Sequence, residues 1–491
     1  MSGPRRLLAL LLLVSAIRVE AQEPAPVRLT ILQINDVYEI TPVEGGRSGG
    51  LARVATIRKR LLAGNANTLT VLAGDFLSPS ALGTAKVDGE RLAGKQMVAV
   101  LGAMGLDYAT FGNHEFDIQE SELLARLCES KFRYVSSNVT DATGKPFPGV
   151  VVREIVGVPG GFRVGFLGVT TSDNRKDWVR YGDYVETARE QVAALRGQVD
   201  AIVALTHLTV EDDTRLVAEV PEIDLAIGGH EHENRHLWRG SDFTPIVKAD
   251  ANARSVNVID LVFDPTSRRV DVSVRLVLVT EAVPEDPEVA AEVARWVEKA
   301  WAGFRASGFE PDRPVANLAE PLDGLESSVR NRPTDLTRVI TKAMLAEVQG
   351  AELSILNSGS LRIDDVLPPG PITEYDVIRA LPFGGPVVGV EIKGSLLARV
   401  LDQGEANAGL GGFLQTGNVT RSPAGDRLVG GAPIDPERWY RAALTDFLLT
   451  GLEVKMPYLT RDNPELRAVC DGRDLRRAVI DELARTCPFK E

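Results

Sequence analysis

Short apolar runs alternate with amphipathic stretches in the first half of the chain. Five runs have the length and the β-branched content of buried strands, namely residues 27–34, 68–73, 163–169, 201–206 and 225–228. Between them, residues 51–64 and 121–130 repeat apolar side chains every three or four positions, which is the spacing of an amphipathic helix. Strands that alternate with helices predict a layered α/β domain.

The pattern changes after Asp264. Residues 286–308 carry apolar side chains at helical spacing and acidic residues in the first turn, which predicts one long helix. A stretch rich in proline and glycine follows, and then a second α/β pattern. At 491 residues the chain is longer than a single hydrophobic core usually supports, which indicates two or more domains. We therefore expect a first domain over 27–283, a helical connector over 284–312 and a second domain over 313–491.

The N-terminus has the layout of a secretory signal peptide. Arg5 and Arg6 precede an apolar stretch over 7–17, and Val19-Glu20-Ala21 offers a cleavage point. The apolar stretch is too short to span a bilayer as a helix. We expect residues 1–21 to be removed and the mature protein, without a membrane span, to be periplasmic or extracellular. An uncleaved membrane anchor is the alternative.

Composition and charge narrow the classes of partner. A content of 44% hydrophobic and 25% charged residues is typical of a globular protein. The net charge of −13 argues against binding to a nucleic acid polymer, because a phosphate backbone requires an accumulated basic surface. A small phosphate compound can still bind to such a protein through metal ions or a few arginines. Oligomeric state is not indicated by the sequence.

The three cysteines leave two interpretations open. Cys470 and Cys487 flank a helical pattern, so either a disulfide ties down this helix or both thiols are unpaired. Cys128 lies on the apolar side of the helical stretch 121–130, and we expect it in the core.

Side chains that bind metals follow the apolar runs of the first half. In chain order they are Asp36, Asp75, Asn113, His114, His207, His230 and His232. Because ligands of open α/β sheets bind at the carboxyl ends of the strands, we expect these side chains to converge. Carboxylates and imidazoles together suit Zn, Mn, Fe or Co. The set exceeds the needs of one catalytic zinc and fits two ions that share a carboxylate. The fifth histidine, His236, lies outside the pattern.

Four glycines stand beside these candidate ligands. They are Gly74, Gly112, Gly228 and Gly229. A glycine lets two backbone segments approach where a side chain would crowd them. We therefore expect close packing of the loops that carry the ligands.

The ordered motifs IND, AGD, GNHE, TH and GGHEH resemble those of the calcineurin-like metallophosphoesterases. Together with its second half, the chain is similar to the bacterial 5′-nucleotidase/UDP-sugar hydrolase family. The resemblance implies an α/β fold with an N-terminal four-layer α/β/β/α sandwich. It also implies a C-terminal α/β substrate-binding domain, joined to the first by a long helix.

The resemblance also implies roles for the motif residues. Asp75 would bridge two divalent or mixed-valence metal ions. Asp36 and His232 would complete one site, and the other site would be completed by Asn113, His207 and His230. His114 would face the substrate phosphate, and Asp117 would orient His114. A metal-bound hydroxide would then attack phosphorus in line.

Tyr38 departs from the family pattern, which has histidine at this position. A phenol is a poor ligand for zinc at neutral pH because its ordinary pKa is about 10. One interpretation is a first metal site that prefers iron as Fe(III), or is weakened. The other is that Tyr38 points elsewhere and that the site has fewer protein ligands.

The second half supplies candidate substrate contacts by the same resemblance. Asn357 and Arg362 match the segment NSGSLR, and Arg330 matches the segment VRNR. Arginine forks suit phosphate and ribose oxygens. Phe383, in LPFG, would stack on a nucleobase.

A second departure from the family pattern concerns the residue that would stack on the other face of the nucleobase. The segment 445–459 keeps Asp446 and Phe447 but lacks the family's Gly-Asp-Gly-aromatic motif. One stacking face is therefore unassigned, and Tyr458 is a candidate although its position does not align.

These features predict a secreted dinuclear-metal phosphoesterase that converts 5′-nucleotides to nucleosides and phosphate. Hydrolysis of UDP-sugars, cyclic nucleotides, other phosphoesters or a thiosulfate ester is an alternative within the enzymes. A catalytically weak nucleotide-binding protein is the alternative from another class.

Overall fold

Three β-sheets form the framework of the protein in a computed structural model that describes residues 25–488. The predicted signal peptide, residues 1–21, lies outside the described residues. Two sheets belong to the first half of the chain and one to the second.

The first sheet has seven strands, and its first five run parallel. In sheet order they are Val150–Val151, Arg133–Val135, Tyr108–Thr110, Thr68–Ala73, Val27–Ile34, Ser255–Asp264 and Arg269–Leu278. The second sheet has six strands, of which the middle four run parallel. They are Arg153–Val158, Phe162–Thr170, Ala201–His207, Leu225–Gly228, Thr244–Lys248 and Arg235–Arg239.

The two sheets pack face to face and carry helices on their outer faces. Leu29, Ile31, Phe166 and Leu205 are among the buried side chains between the sheets. The seven-stranded sheet is covered by helices Leu51–Gly64, Lys95–Met104 and Pro287–Ala306, and the six-stranded sheet by Tyr184–Leu195 and Val210–Glu219. Strands buried on both faces explain the continuous apolar runs of the sequence. The predicted four-layer α/β/β/α sandwich is confirmed.

The second half forms a five-stranded sheet with helices on both faces. In sheet order its strands are Leu414–Gly417, Leu353–Asn357, Trp439–Thr445, Pro386–Lys393 and Leu466–Asp474. Helices Asp335–Glu347 and Leu475–Thr486 cover one face, and Gly394–Ala406 covers the other. Shorter helices are Glu120–Glu129, Glu326–Val329 and Glu374–Ala380.

Short strands form small accessory sheets. They are Pro42–Val43 with Ser48–Gly49, Lys86–Val87 with Glu90–Arg91, Val139–Asp141 with Val179–Tyr181, Pro314–Leu318 with Gly370–Thr373, Leu322–Asp323 with Val366–Leu367, and the trio Val419–Arg421, Arg427–Val429 and Ala432–Pro433.

The long helix predicted over 286–308 is present as Pro287–Ala306. The carboxylate of Asp286 caps it by accepting a hydrogen bond from Val289 N at 3.2 Å. Near its end, Trp301 and Phe304 lie with ring centroids 5.9 and 6.3 Å from that of Tyr375 in the second half. The helix therefore packs on both halves. No helix in residues 25–488 combines the length and apolarity needed to cross a bilayer.

The structure corrects the prediction for Cys128 and decides whether Cys470 and Cys487 form a disulfide. Cys128 is exposed, so its expected place in the core is wrong. The helix presents Leu123 and Arg126 to the interior instead, and the Arg126 guanidinium donates to Leu92 O at 3.0 Å. Cys470 and Cys487 are free thiols, which contradicts the disulfide interpretation.

Candidate dinuclear metal centre and substrate cleft

The predicted metal ligands meet where the carboxyl ends of the two large sheets adjoin. They are Asp36, Asp75, Asn113, His207, His230 and His232, each at or just beyond a strand end. His207 Nε2 lies 3.1 Å from Asp75 Oδ2 and 3.9 Å from Asp36 Oδ1. His232 Nε2 lies 3.8 Å from Asp36 Oδ1. The structure therefore brings Asp36, Asp75, His207 and His232 together, and the first three present ligand atoms within 4.8 Å of one another, an arrangement that could hold a metal ion.

Three of these residues have backbone conformations that side chains rarely adopt. The φ angles of Asp36, Asp75 and His230 are 51°, 56° and 86°. Such conformations cost about 1–3 kcal/mol each and persist where the surroundings enforce them. Here Asp36 N donates to Gly74 O, and His230 N donates to Asp36 Oδ2, both at 3.0 Å. Strain concentrated in candidate ligands is typical of a functional site.

Glycines permit the close approach of these loops. A Cβ atom on Gly112 would lie 2.1 Å from Asp75 Oδ1, and one on Gly229 would lie 2.3 Å from Ala73 O. No other residue fits at either position without displacing the candidate ligands.

The donor set fits metal ions. His207 Nδ1 donates to Ala73 O at 2.8 Å, which turns Nε2 toward the carboxylates of Asp75 and Asp36. Asn113 Oδ1 is buried without a hydrogen-bond partner. Buried polar atoms are rarely left unpaired, and a bound cation would satisfy this oxygen.

The electrostatics of the cluster also favour a cation. Burial lowers the pKa of His207, but the carboxylates of Asp75 and Asp36 outweigh it and raise the pKa to about 9. The buried carboxylates therefore attract positive charge into this position. By contrast, burial and the neighbouring His207 hold the pKa of His230 well below its usual value. A neutral imidazole is the form that binds a metal.

Tyr38 points into the cluster. Its hydroxyl lies 3.1 Å from His232 Nε2, 3.3 Å from Asp75 Oδ2 and 3.4 Å from Asp36 Oδ1. The interpretation in which Tyr38 points elsewhere is therefore wrong. Burial, followed by the charges of Asp75 and Asp36, raises the pKa of Tyr38 well above its usual value. The phenol thus stays protonated unless a cation lies beside it.

His114 and Asp117 form a second, separate pair. His114 Nδ1 donates to Asp117 Oδ2 at 2.7 Å. Asp117 Oδ1 in turn accepts a hydrogen bond from Asn174 Nδ2 at 2.6 Å. Burial raises the pKa of Asp117, but the His114 charge and hydrogen bond outweigh it and lower the pKa below its usual value. The dyad leaves His114 Nε2 free to face the cavity.

A cavity of about 1530 Å³ lies between the two halves and joins these groups to the predicted substrate residues. Its walls include Asp75, His114, Arg330, Asn357, Arg362 and Phe383. Arg362 Nη1 lies 3.3 Å from His114 Nε2, and its guanidinium carbon lies 5.8 Å from the centre of the Phe383 ring. The second half therefore brings a guanidinium and an aromatic ring to the imidazole of the first.

Comparisons with known proteins agree with this arrangement. Residues 29–234 match the family model of the calcineurin-like phosphoesterases, and residues 314–460 match that of the 5′-nucleotidase C-terminal domain. A snake venom 5′-nucleotidase from Naja atra is 26% identical over 497 residues, covering 86% of this chain and 90% of the relative. The chain belongs to the 5′-nucleotidase family.

Two solved structures, both from Thermus thermophilus, share the overall fold of this family member. A 5′-nucleotidase precursor superposes with a TM-score of 0.78 at 24% identity and covers 93% of this chain and 96% of its own. The sulfate thiohydrolase SoxB gives a TM-score of 0.72 at 17% identity and covers 94% of each chain. The family places this chain among the metal-dependent phosphoester hydrolases, whereas the fold alone leaves its substrate open.

Glu115 is a structural residue of the 5′-nucleotidase-family site to which the sequence assigned no role. Its buried carboxylate accepts hydrogen bonds from the backbone N–H groups of Asp75, Phe76, Leu77 and Gly112, at 2.6–3.1 Å. One side chain thus fixes two ligand-bearing loops. Its position inside the GNHE motif is the feature of the sequence that could have indicated this role.

Phe447 is the second aromatic residue of the cleft. Phe383 and Phe447 are 53% and 40% exposed and both line the cavity. Tyr458 lies outside the cavity walls, with its ring 3.6 Å from the guanidinium carbon of Arg399. The candidate Tyr458 is therefore wrong, and Phe447 is available for the unassigned stacking face. His236 also lies outside the cavity walls and contacts Asn257 Oδ1 at 2.8 Å.

Proposed function

We propose that the protein is an exported 5′-nucleotidase that hydrolyses nucleoside 5′-monophosphates to nucleosides and phosphate. The observation that carries this proposal is the shared cavity. It joins a cluster that attracts cations, an imidazole within 3.3 Å of an arginine, and two exposed aromatic rings. A phosphate, a leaving oxygen and a base each have a complementary group there.

We assign the metal ligands from the donor set. Asp36, Tyr38, Asp75 and His232 would hold one ion, and Asp75, Asn113, His207 and His230 would hold the other. When bound, two such ions supply Lewis acidity toward phosphate oxygens and lower the pKa of bound water. The remaining chemistry belongs to side chains of the chain itself.

The His114–Asp117 dyad is the proposed proton donor. His114 Nε2 faces the cavity, and the Asp117 carboxylate at Nδ1 stabilises the positively charged imidazolium. An imidazolium here would donate to a phosphate oxygen or to the leaving 5′-oxygen. The guanidinium groups of Arg330 and Arg362 would bind the remaining phosphate oxygens.

The second half would recognise the nucleoside. We propose that the base stacks on Phe383 and Phe447, an interaction worth about 1–3 kcal/mol per base. The sugar would contact Asn357 and Glu453, which also line the cavity. Glu453 Oε2 is buried without a hydrogen-bond partner, and a ribose hydroxyl would supply one.

The same division of labour defines the proposed domains. Residues 27–283 would perform the chemistry, 284–312 would connect, and 313–491 would select the substrate. Export is proposed from the pattern of residues 1–21, with the periplasm or the extracellular space as the destination.

A larger substrate is the second candidate. Ligand sites are commonly about 300–1,000 Å³, whereas this cavity measures about 1530 Å³. The excess favours testing UDP-sugars beside the nucleoside monophosphates. The two candidates are separated by product analysis after incubation with AMP, UMP, UDP-glucose, a cyclic nucleotide or p-nitrophenyl phosphate, each with added Mn²⁺, Co²⁺ or Zn²⁺. The monophosphates and p-nitrophenyl phosphate would release phosphate, UDP-glucose would give UMP and glucose 1-phosphate, and the cyclic nucleotide would give a nucleoside monophosphate. Nucleotide binding without turnover of any of these compounds would overturn the proposal in favour of a binding protein.

Phe383→Ala and Phe447→Ala are expected to lower kcat/KM for AMP by about 5- to 150-fold, which corresponds to the loss of one stacking contact of about 1–3 kcal/mol. The same variants should turn over ribose 5-phosphate at the wild-type rate, because this substrate has no aromatic group to stack. Tyr458→Ala is the matched control, since Tyr458 lies outside the cavity walls. Equal losses on both substrates would contradict base recognition.

Tyr38 makes the first metal site rich in oxygen donors. With Tyr38 the site offers three oxygen donors and one imidazole. This set suits a hard cation such as Fe(III) better than the set with a histidine in place of Tyr38 would. Protein prepared with iron is expected to show a visible phenolate-to-iron absorption band that Tyr38→Phe lacks. Zinc at full occupancy in both sites, with no such band in the iron-loaded protein, would contradict the assignment.

A further inference from the structure

Asp364 reaches from the second half of the chain to a candidate metal ligand of the first half. Its Oδ2 accepts a hydrogen bond from His232 Nδ1 at 2.8 Å. On the other side of the same imidazole, Nε2 lies 3.1 Å from the Tyr38 hydroxyl and 3.8 Å from Asp36 Oδ1. The orientation of this ring is therefore set from both halves.

Asp364 is itself held firmly in this position. It is 7% exposed, and its φ of 37° lies in the left-handed region. Its Oδ1 accepts from Glu326 N at 2.9 Å, and Arg254 Nη2 lies 3.5 Å from Oδ2. A strained residue kept in place by several contacts is typical of a positioning role.

The contact fixes which nitrogen of His232 faces the candidate metal centre. A carboxylate only accepts hydrogen bonds, so Nδ1 donates to Asp364, and Nε2 is the nitrogen that faces Tyr38 and Asp36. His207 is fixed in the same manner, but by Ala73 O of its own half. The two candidate ion sites therefore differ, because only one of them receives its orienting carboxylate from the other half.

The loop that carries Asp364 also reaches the proposed proton donor. Arg362, two residues earlier, lies 3.3 Å from His114 Nε2. One short segment of the second half thus contacts both a candidate ligand and the dyad. Correct seating of this segment would set the geometry of both groups at once.

We propose that Asp364 is a positioning residue that makes the ion site of Asp36 and His232 dependent on the contact between the two halves. The proposal rests on the proposed function, because it takes these side chains as ligands. The ion at Asn113, His207 and His230 depends on the first half alone.

The test is the metal content of the purified full-length protein after dialysis against graded chelator concentrations, with Mn²⁺ as the probe. Wild type is expected to keep two ions and to lose them in separate steps. Asp364→Ala should bind one ion with an affinity about 10- to 100-fold lower than wild type, which is the usual effect of losing an orienting partner. Its affinity for the other ion should be unchanged. Asp364→Asn, which retains an acceptor oxygen, should restore part of the affinity.

Asp365→Ala is the matched control. Asp365 is the next residue, is also buried, and likewise crosses between the halves, where its Oδ2 accepts from Glu44 N at 3.1 Å. This contact involves no candidate ligand, so both ions should bind as in wild type. Melting temperatures of all variants report folding, and the Asp364→Asn variant retains the test if an alanine variant fails to fold.

The possible outcomes separate this proposal from the proposed function. Wild-type protein that binds no Mn²⁺ would overturn both. If folded Asp364 variants bind both ions as tightly as wild type does, only the role of Asp364 is overturned. Equal losses in the Asp365→Ala and Asp364→Ala variants would indicate a general effect of domain contact and would likewise overturn it.

Discussion

His114→Gln is expected to lower kcat by about 10²- to 10⁴-fold, the usual contribution of a positioned proton donor. The imidazole Nε2 faces the cavity, and its partner nitrogen donates to Asp117 at 2.7 Å. Glutamine is polar and of similar length, but it has no titratable proton. Since His114 is not a proposed ligand, the variant should bind as many metal ions as wild type.

Two measurements separate this role from a loss of metal. Metal content by mass spectrometry should match wild type, and KM for AMP should change less than kcat. Asn174→Ala serves as a graded control, because Asn174 contacts Asp117 at 2.6 Å but not the imidazole. It is expected to reduce kcat by less than His114→Gln. A His114→Gln enzyme with wild-type kcat would exclude His114 as the proton donor.

Asp75→Asn is expected to release both ions and to lower kcat by at least about 10³-fold, since metal ions supply several kcal/mol of charge stabilisation in the transition state. Asp75 is the only proposed ligand shared by the two sites. Its Oδ2 lies 3.1 Å from His207 Nε2, and its Oδ1 accepts from His114 N at 2.8 Å. Asparagine preserves the shape and one acceptor oxygen, so the loss reflects the missing charge.

Asp224→Asn controls for the loss of a carboxylate in the same scaffold. Asp224 accepts from Ile202 N at 2.7 Å, at the amino end of the strand whose carboxyl end carries His207. It should retain both ions and full activity. Unchanged metal content in Asp75→Asn would contradict the bridging role.

The strands and the candidate ligands were predictable because each signal is local. The apolar runs ending before Asp36 and Asp75 correspond to strands Val27–Ile34 and Thr68–Ala73. Parallel strands place their carboxyl ends on one edge, so chain order alone brought these residues together.

Contacts between distant segments were not predictable in this way. Asp364 and His232 lie 132 positions apart, and neither motif specifies that they pair. Phe447 and Tyr458 lie in one short segment, and only the packing of its loop shows which ring enters the cavity. Cys128 and Leu124 share the exposed face of their helix, whereas Leu123 and Arg126 face the core, so apolar spacing alone did not show which face is buried.

Anomalous diffraction from crystals of the full chain soaked in Mn²⁺ tests directly whether two ions bind at Asp75. Two peaks about 3.5–4 Å apart are expected, both beside Asp75, with one toward His232 and the other toward His207. The absence of any peak between Asp75 and His207 in metal-saturated crystals would contradict a dinuclear centre at these residues.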